Sequence, residues 1–222
     1  MELRAEGISR RYFRKSKNTN IFLAVKETDF VLPAGQLTEI TGRSGSGKTT
    51  LLNMLAGLLE PTTGRVLLDG TDLYAMPDPE RSRLRNRAFG IIPQGQTGLR
   101  SLTALENVLL PSLMYGAKTC TEEDAVRLLQ RVGIGELRDT YPNEMSGGEL
   151  RRLAIARALS MEPGVILADE PTGDLDDENT CAVLRLLREL AEEGRAVLLV
   201  THEAEAAGYA DRVLTMQDGM LG

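Results

Sequence analysis

Residues 36–59 read QLTEITGRSGSGKTTLLNMLAGLL: an apolar run, a glycine-rich turn and a helical-period segment in direct succession. The run at 36–41 has the character of a buried strand, and Leu51, Leu52, Leu55, Leu58 and Leu59 fall on one face of a helix expected over 49–59. Between them Gly42-Arg43-Ser44-Gly45-Ser46-Gly47-Lys48-Thr49 meets every fixed position of the pattern G-x-x-x-x-G-K-[ST]. Glycines let such a loop wrap a phosphate while successive backbone N–H groups point inward as donors. Lys48 then brings a compact positive charge to the outer phosphates of a nucleotide, the Thr49 hydroxyl is a ligand for Mg²⁺, and Thr50 continues the binding run. A flexible Gly/Ser turn is the plainer reading, but strand and helix flank these letters where phosphate binding needs them.

A strand, loop and helix in this order belong to an α/β protein, and the rest of the chain agrees. Apolar runs at 90–92, 165–168, 196–201 and 212–216 read as further strands, separated by helix-period segments at 121–132, 149–159 and 179–193. That alternation predicts a mostly parallel sheet covered on both faces. Nearer the N-terminus, residues 3–9, 28–32 and 65–68, the last before Asp69-Gly70, read as an antiparallel subdomain of strands and turns. No strand is evident between about 95 and 160. The chain is therefore expected to be a single domain over 1–222, with 1–94 and 161–222 as the core lobe and 95–160 as an inserted helical subdomain.

Composition excludes several classes. With 42% hydrophobic and 26% charged residues the chain is an ordinary globular sequence. The charged N-terminus lacks the apolar core of a signal peptide, and no apolar run approaches a membrane span. Cys120 and Cys181 lie far apart without metal-binding spacing, which fits reduced thiols in a cytoplasmic protein. The net charge of −6 argues against nucleic acid as a partner. The basic clusters Arg10, Arg11, Arg14, Lys15, Lys17 and Arg81, Arg83, Arg85, Arg87 read as solvated loop and helix faces, with contacts to an acidic partner or lipid headgroups as the alternative.

Three further constellations carry chemistry. Val165-Ile166-Leu167-Ala168-Asp169-Glu170 is an apolar strand ending in two carboxylates, a costly pairing unless a cation balances it. Strand alternation would send them to opposite sides, Asp169 to a Mg²⁺ shell and Glu170 to an attacking water; a helix N-cap before Pro171 is the structural alternative. Gln94 and His202, the only histidine, each follow an apolar strand, at the strand ends where open α/β sheets bind ligands. A neutral His202 could donate to a γ-phosphate and accept at its other nitrogen. Finally, Met145-Ser146-Gly147-Gly148-Glu149 opens a helix with a second potential anion site, and the same letters form a capping box from Ser146 to Glu149.

In this order the motifs resemble those of the ATP-binding-cassette (ABC) ATPases, and the resemblance covers essentially the whole chain. Residues 42–49 match the Walker A, Gln94 the Q-loop, 145–149 the signature, 165–170 the Walker B, Gly173-Asp174-Leu175-Asp176 the D-loop and His202 the switch histidine. The resemblance implies catalytic roles for Glu170, His202 and Gln94, and Mg²⁺ ligation by Thr49, Gln94 and Asp169. It implies stacking of adenine on Tyr12, with Phe13 second. It further implies an ATP-dependent homodimer in which Ser146, Gly147, Gly148 and Glu149 cover the ATP held by the other copy, Asp174 and Asp176 lying nearby.

Residues 102–108 and 169–173 look like those of the lipoprotein-releasing, macrolide-exporting and antimicrobial-peptide-resistance ATPases. That likeness implies a separate membrane permease with an extracytoplasmic domain, and a peripheral location on the inner face of the membrane. Cell-division and other non-transport cassettes are the alternative. Met145, Glu149, Pro93 and Asp174 depart from the usual residues at their positions, Asp174 adding negative charge near the opposing nucleotide.

Overall fold

A computed structural model describes residues 1–13, 21–95, 98–116, 119–173 and 175–222. The first half of the chain forms β1 (Leu3–Phe13), β2 (Ile21–Leu32), β3 (Leu37–Thr41), α1 (Lys48–Leu55), β4 (Thr63–Leu68), β5 (Thr71–Asp72), α2 (Asp78–Ala88) and β6 (Phe89–Ile92). Then follow α3 (Ala104–Leu113), α4 (Glu122–Arg131), α5 (Gly147–Leu159), β7 (Val165–Asp169), α6 (Asp177–Glu192), β8 (Ala196–Val200), β9 (Arg212–Gln217) and β10 (Met220–Leu221). One sheet is antiparallel in the order β2-β1-β4-β5. The other runs β10-β9-β3-β8-β7-β6 and is parallel except for the β9–β10 hairpin. This is the expected ABC ATPase architecture, with helices α3 to α5 inserted between β6 and β7.

The parallel strands read as unbroken apolar runs because both of their faces are covered: every residue of β7 and β8 is buried. Alternation divides their side chains between two cores. Ile166, Ala168, Val197 and Leu199 pack with the inserted helices and α6, whereas Val165, Leu167, Leu198 and Val200 pack with α1 and the antiparallel sheet. The phosphate-loop helix and the signature helix thus rest on opposite faces of one sheet.

Three departures from the sequence reading have local causes. The helix expected over 49–59 ends at Leu55, because Gly57 turns left-handed at φ 69° and the N–H groups of Leu58 and Leu59 both return to the Asn53 carbonyl. Leu58 is consequently 52% exposed, and Met54 takes its place on the buried face. Helix α2 shows in the sequence only as a basic cluster, since its sole buried residue is Ala88. It is specified instead at its ends, by proline in the first turn, Asp78 and Glu80 at the positive pole of the dipole, and Arg85 and Arg87 at the negative pole. Strands β1 and β2 are longer than expected and stay paired to Phe13 opposite Ile21, placing Tyr12 opposite Phe22.

Two polar anchors hold the segments that flank the cleft. Tyr74 Oη lies 2.7 Å from the carbonyl oxygens of both Met54 and Leu59, and Arg85 donates to the Gly57 carbonyl at 2.9 Å, so the C-terminal turn of α1 is satisfied by side chains. Fully buried Asn107 accepts from the Leu99 N–H and donates to the carbonyls of Leu99, Leu102 and Thr103, fastening residues 99–103 to α3.

Candidate nucleotide-binding site

The 42–49 loop is held between two backbones that leave no room for side chains. A Cβ at Gly42 (φ 153°) would lie 2.2 Å from the Met216 carbonyl oxygen, and one at Gly47 (φ 111°) 2.2 Å from that of Ala24. The loop feeds directly into α1, whose N-terminus has neither a side-chain cap nor an acidic residue in its first turn. Its free N–H groups and positive dipole end therefore face a cleft of about 630 Å³, with no acidic residue of the helix itself at that pole. Lys48 is buried and donates to its own loop, at 2.6 Å to the Gly42 carbonyl and 3.2 Å to that of Arg43.

Arg43, Ser44, Gly45, Gly47, Lys48, Thr49 and Thr50 line this cleft together with Tyr12, Phe22, Ala24, Gln94, Glu170 and His202. Gly42 and Ser46 face instead a cavity behind the loop. Tyr12 is the aromatic of β1 turned to the cleft, while its neighbour Phe13 is 82% exposed. Phe22, opposite Tyr12, completes an aromatic wall that the sequence reading missed, because the register of β1 on β2 is not readable across the intervening segment. The Arg10 guanidinium sits 5.0 Å from the Tyr12 ring centroid.

At the end of β7, Asp169 is buried beside the Thr49 hydroxyl, which hydrogen-bonds it. Burial raises its pKa, the Thr49 bond opposing that shift. Its Oδ1 is buried without a protein partner. An unpaired buried carboxylate oxygen next to a hydroxyl, with the exposed Gln94 amide on the same cleft, is a donor set of hard oxygens that suits Mg²⁺.

Glu170 overturns the alternation argument. It lies beyond the strand in the left-handed region, φ 47°, with its N–H bonded to the Val200 carbonyl at 2.8 Å. Its direction is set by that turn, and it brings the carboxylate 2.9 Å from His202 Nδ1. His202 is correspondingly different from the sequence expectation. An ionised carboxylate only accepts, so Nδ1 must donate, and Nε2 can donate as well only when the ring is an imidazolium. The Glu170 hydrogen bond, reinforced by its charge, raises the His202 pKa accordingly.

The signature residues stand apart from the cleft: none of Ser146, Gly147, Gly148 and Glu149 lines it. Ser146 caps α5 in a complete capping box, accepting from the Glu149 N–H at 3.3 Å while the Glu149 carboxylate accepts from the Ser146 N–H at 2.7 Å and its hydroxyl at 2.8 Å. These donors lower the Glu149 pKa, the Ser146 backbone N–H most. Buried Arg151 of this helix donates to the Pro93 carbonyl, in the loop after β6, at 2.9 Å.

Asp176 does not reach the cleft; it caps α6, accepting from the Asn179 N–H at 2.8 Å, a bond that lowers its pKa. Asp174 lies outside the described residues, as do Arg14, Lys15 and Lys17. Among the described residues Cys120 and Cys181 are free thiols, and no helix is long and apolar enough to cross a membrane.

Comparison with known proteins agrees with this geometry. The family model "ABC transporter" matches residues 25–173. The lipoprotein-releasing system ATP-binding protein LolD of Shewanella oneidensis is 42% identical over 221 residues, 99% of this chain and 95% of its own length. The macrolide export ATP-binding/permease protein MacB of Chlorobaculum tepidum is 40% identical over 198 residues, which cover 89% of this chain and 30% of that larger protein. Among solved structures, the dimeric bacterial ABC transporter cassette MJ0796 superposes with a TM-score of 0.89 at 33% identity, covering 98% of this chain and 95% of that one. The same cassette has been solved as a dimer in a post-hydrolysis state bound to ADP and Pi. A loop built to cradle phosphates, a buried carboxylate pair at its back and relatives of nearly equal length at this identity lead to one conclusion: the chain belongs to the ABC transporter family, as an ATP-binding cassette that hydrolyses ATP to ADP and phosphate.

Proposed function

We propose that this cassette works as a head-to-tail homodimer at the cytoplasmic face of a membrane, coupling ATP hydrolysis to a separate permease that carries an extracytoplasmic domain, in lipoprotein or peptide extraction or in export. The observation that carries this reading is the division of the motifs. Lys48, Thr49, Gln94, Glu170 and His202 meet at one cleft, while Ser146 to Glu149 lie outside it. A second copy related by a two-fold axis supplies the missing half to each cleft. The names of LolD and MacB support a membrane partner. The cavity among α2, α3 and α5, with exposed Met114 and Tyr115 on its rim, is a surface for that partner's cytoplasmic helix. Residues 95–160, read as the helical subdomain, carry the signature and share the docking surface with α2 and β6 of the core lobe.

Each residue has a part. Tyr12 and Phe22 stack the base, and Lys48 exchanges the Gly42 and Arg43 carbonyls for β- and γ-phosphate oxygens. Thr49, Asp169 and Gln94 hold Mg²⁺, which when bound neutralises charge on those phosphates. Glu170 accepts a proton from the water whose oxygen attacks the γ-phosphorus, as the bond to the ADP oxygen breaks. His202, as imidazolium, donates Nε2–H to the γ-phosphate while Nδ1–H stays on Glu170.

Ser146 acts in sequence. It caps α5 in the free chain and turns to the partner's γ-phosphate in the closed dimer, a loss of cap worth about 1 kcal/mol against a stronger charge-assisted bond. Asp176 caps α6, and its hydrogen-bond partner Asn179 lies against Gly148.

Sedimentation of Glu170→Gln with saturating ATP tests the reading. A dimer is expected, and adding Ser146→Ala weakens it. A Glu170→Gln chain that stays monomeric sinks the dimer, and an unaltered dimer affinity in the double variant sinks the timing of Ser146.

A further inference from the structure

The phosphate loop is supported by a part of the chain that no motif includes. The β9–β10 hairpin turns through Asp218 (φ 49°) and Gly219 (φ 78°), and the Gly219 N–H donates to the Ser46 carbonyl at 3.0 Å. The Gly219 carbonyl in turn accepts from the Lys26 N–H of β2 at 2.8 Å. One residue therefore bridges the loop that would hold phosphates to the strand that carries Phe22 and Ala24 of the cleft wall. Around this bridge the backbones are packed to contact. The Met216 carbonyl blocks any Cβ at Gly42, the Met216 methyl would lie 2.8 Å from one at Gly47, and the carbonyls of Ala24 and Leu23 would lie 3.1 and 3.2 Å from one at Gly219. Met216 itself is 1% exposed.

We infer that Gly219 is a positioning residue for nucleotide binding: the Asp218-Gly219 turn sets the height and tilt of the 42–49 loop against the Tyr12 and Phe22 wall. Base and phosphates of one nucleotide must be met by two surfaces from different sheets, and a displacement of about 1 Å between such surfaces is costly. The two sheets share no strand, so their relative placement at the cleft depends on such crossing bonds. This inference rests on the assignment of the 42–49 loop to the nucleotide phosphates.

The molecule contains its own control. Asp69-Gly70 makes the same two-residue hairpin turn between β4 and β5, at φ 47° and 81°, but a Cβ on Gly70 meets nothing within 4 Å, and Asp69 bonds only to Glu2. Gly219→Ala and Gly70→Ala thus carry equal backbone strain, and only the first pushes on the loop and β2. The full-length chain is titrated with ADP in EDTA by calorimetry, and melted without nucleotide. Both variants are expected to melt lower, Gly219→Ala by more because its Cβ also meets the Ala24 and Leu23 carbonyls, with Kd for ADP raised about tenfold in Gly219→Ala alone. In turnover with ATP, Gly219→Ala is expected to raise KM while kcat stays near that of the parent chain.

Gly219→Asn adds a second arm, since asparagine tolerates the left-handed conformation yet keeps the intruding Cβ. It should recover melting temperature without recovering affinity, and it serves if the alanine variant does not fold. Unchanged ADP affinity in the folded Gly219 variants, or an equal loss in Gly70→Ala, overturns the inference. Lys48→Ala separates the two levels: if it binds ADP normally the phosphate assignment itself fails, whereas if it loses ADP and Gly219→Ala does not, only the positioning role fails.

Discussion

At the scale of single residues, the pair His202 and Glu170 shows what a linear motif leaves open. Both positions were legible as strand-end residues, but the 2.9 Å contact between groups 32 positions apart was not. That contact decides the proton inventory. His202 titrates above its ordinary 6.5 because Glu170 accepts its Nδ1–H and adds negative charge. A raised folded-state pKa favours the charged form. The interaction is therefore complete below pH 6.5 and fades as pH rises through the raised value. Because His202 is the only histidine, its ring signals can be followed by NMR without assignment. The expected result is a pKa above 6.5 that returns toward 6.5 in Glu170→Gln. An unshifted titration in both chains would remove the dyad. In the intact enzyme ATPase activity should decline as pH rises through the same value, since the imidazolium is the form that donates from both nitrogens.

At the scale of elements, helices with a buried apolar face were legible and α2 was not. Helix α6 buries Val183, Leu184, Leu187 and Leu190, a pattern with period near 3.6, whereas α2 buries Ala88 alone. Helix α2 exists through its end charges and through what it holds. Its Arg85, with Tyr74 before it, closes the end of α1. Burial raises the Tyr74 pKa, so the hydroxyl stays a donor across the working range of pH. Tyr74→Phe keeps the ring, strands the Leu59 carbonyl and leaves that of Met54 with the Gly57 N–H alone, which should lower stability by about 1–3 kcal/mol in urea melts. Nucleotide affinity should be unchanged, because these carbonyls lie at the far end of α1 from the phosphate loop. A loss of affinity comparable with the loss of stability would instead mean that the C-terminal clasp also sets the loop.

At the scale of the whole molecule, the fold keeps the phosphate loop and the signature residues apart, and the proposed dimer joins them in one site. The phosphate loop and the signature helix rest on opposite faces of the parallel sheet. A two-fold pair then predicts complementation. Lys48→Ala spoils the site at its own loop, and Ser146→Ala the site on its partner. Each alone is expected to have little ATPase activity. Mixed, they should regain about a quarter of parent activity, since half of randomly formed dimers are mixed and each mixed dimer keeps one intact site. Mixtures no more active than their components would exclude a site shared between chains.

The sequence by itself determined the fold class, the order of the motifs and most cleft residues. Each of these is local: a strand run, a glycine loop and a helix period lie within about 25 residues of one another and state their geometry through backbone preference and burial. The capping box of Ser146 and Glu149 was legible for the same reason. Tertiary structure alone decided the pairing of Phe22 with Tyr12, the turn of Glu170 toward His202, and the support of the phosphate loop by Gly219. All three join segments distant in the chain, and they depend on which backbones the packed sheets bring within hydrogen-bond reach. Strand register and close backbone approach are properties of the assembled layers, and neither leaves a pattern in the letters of one segment.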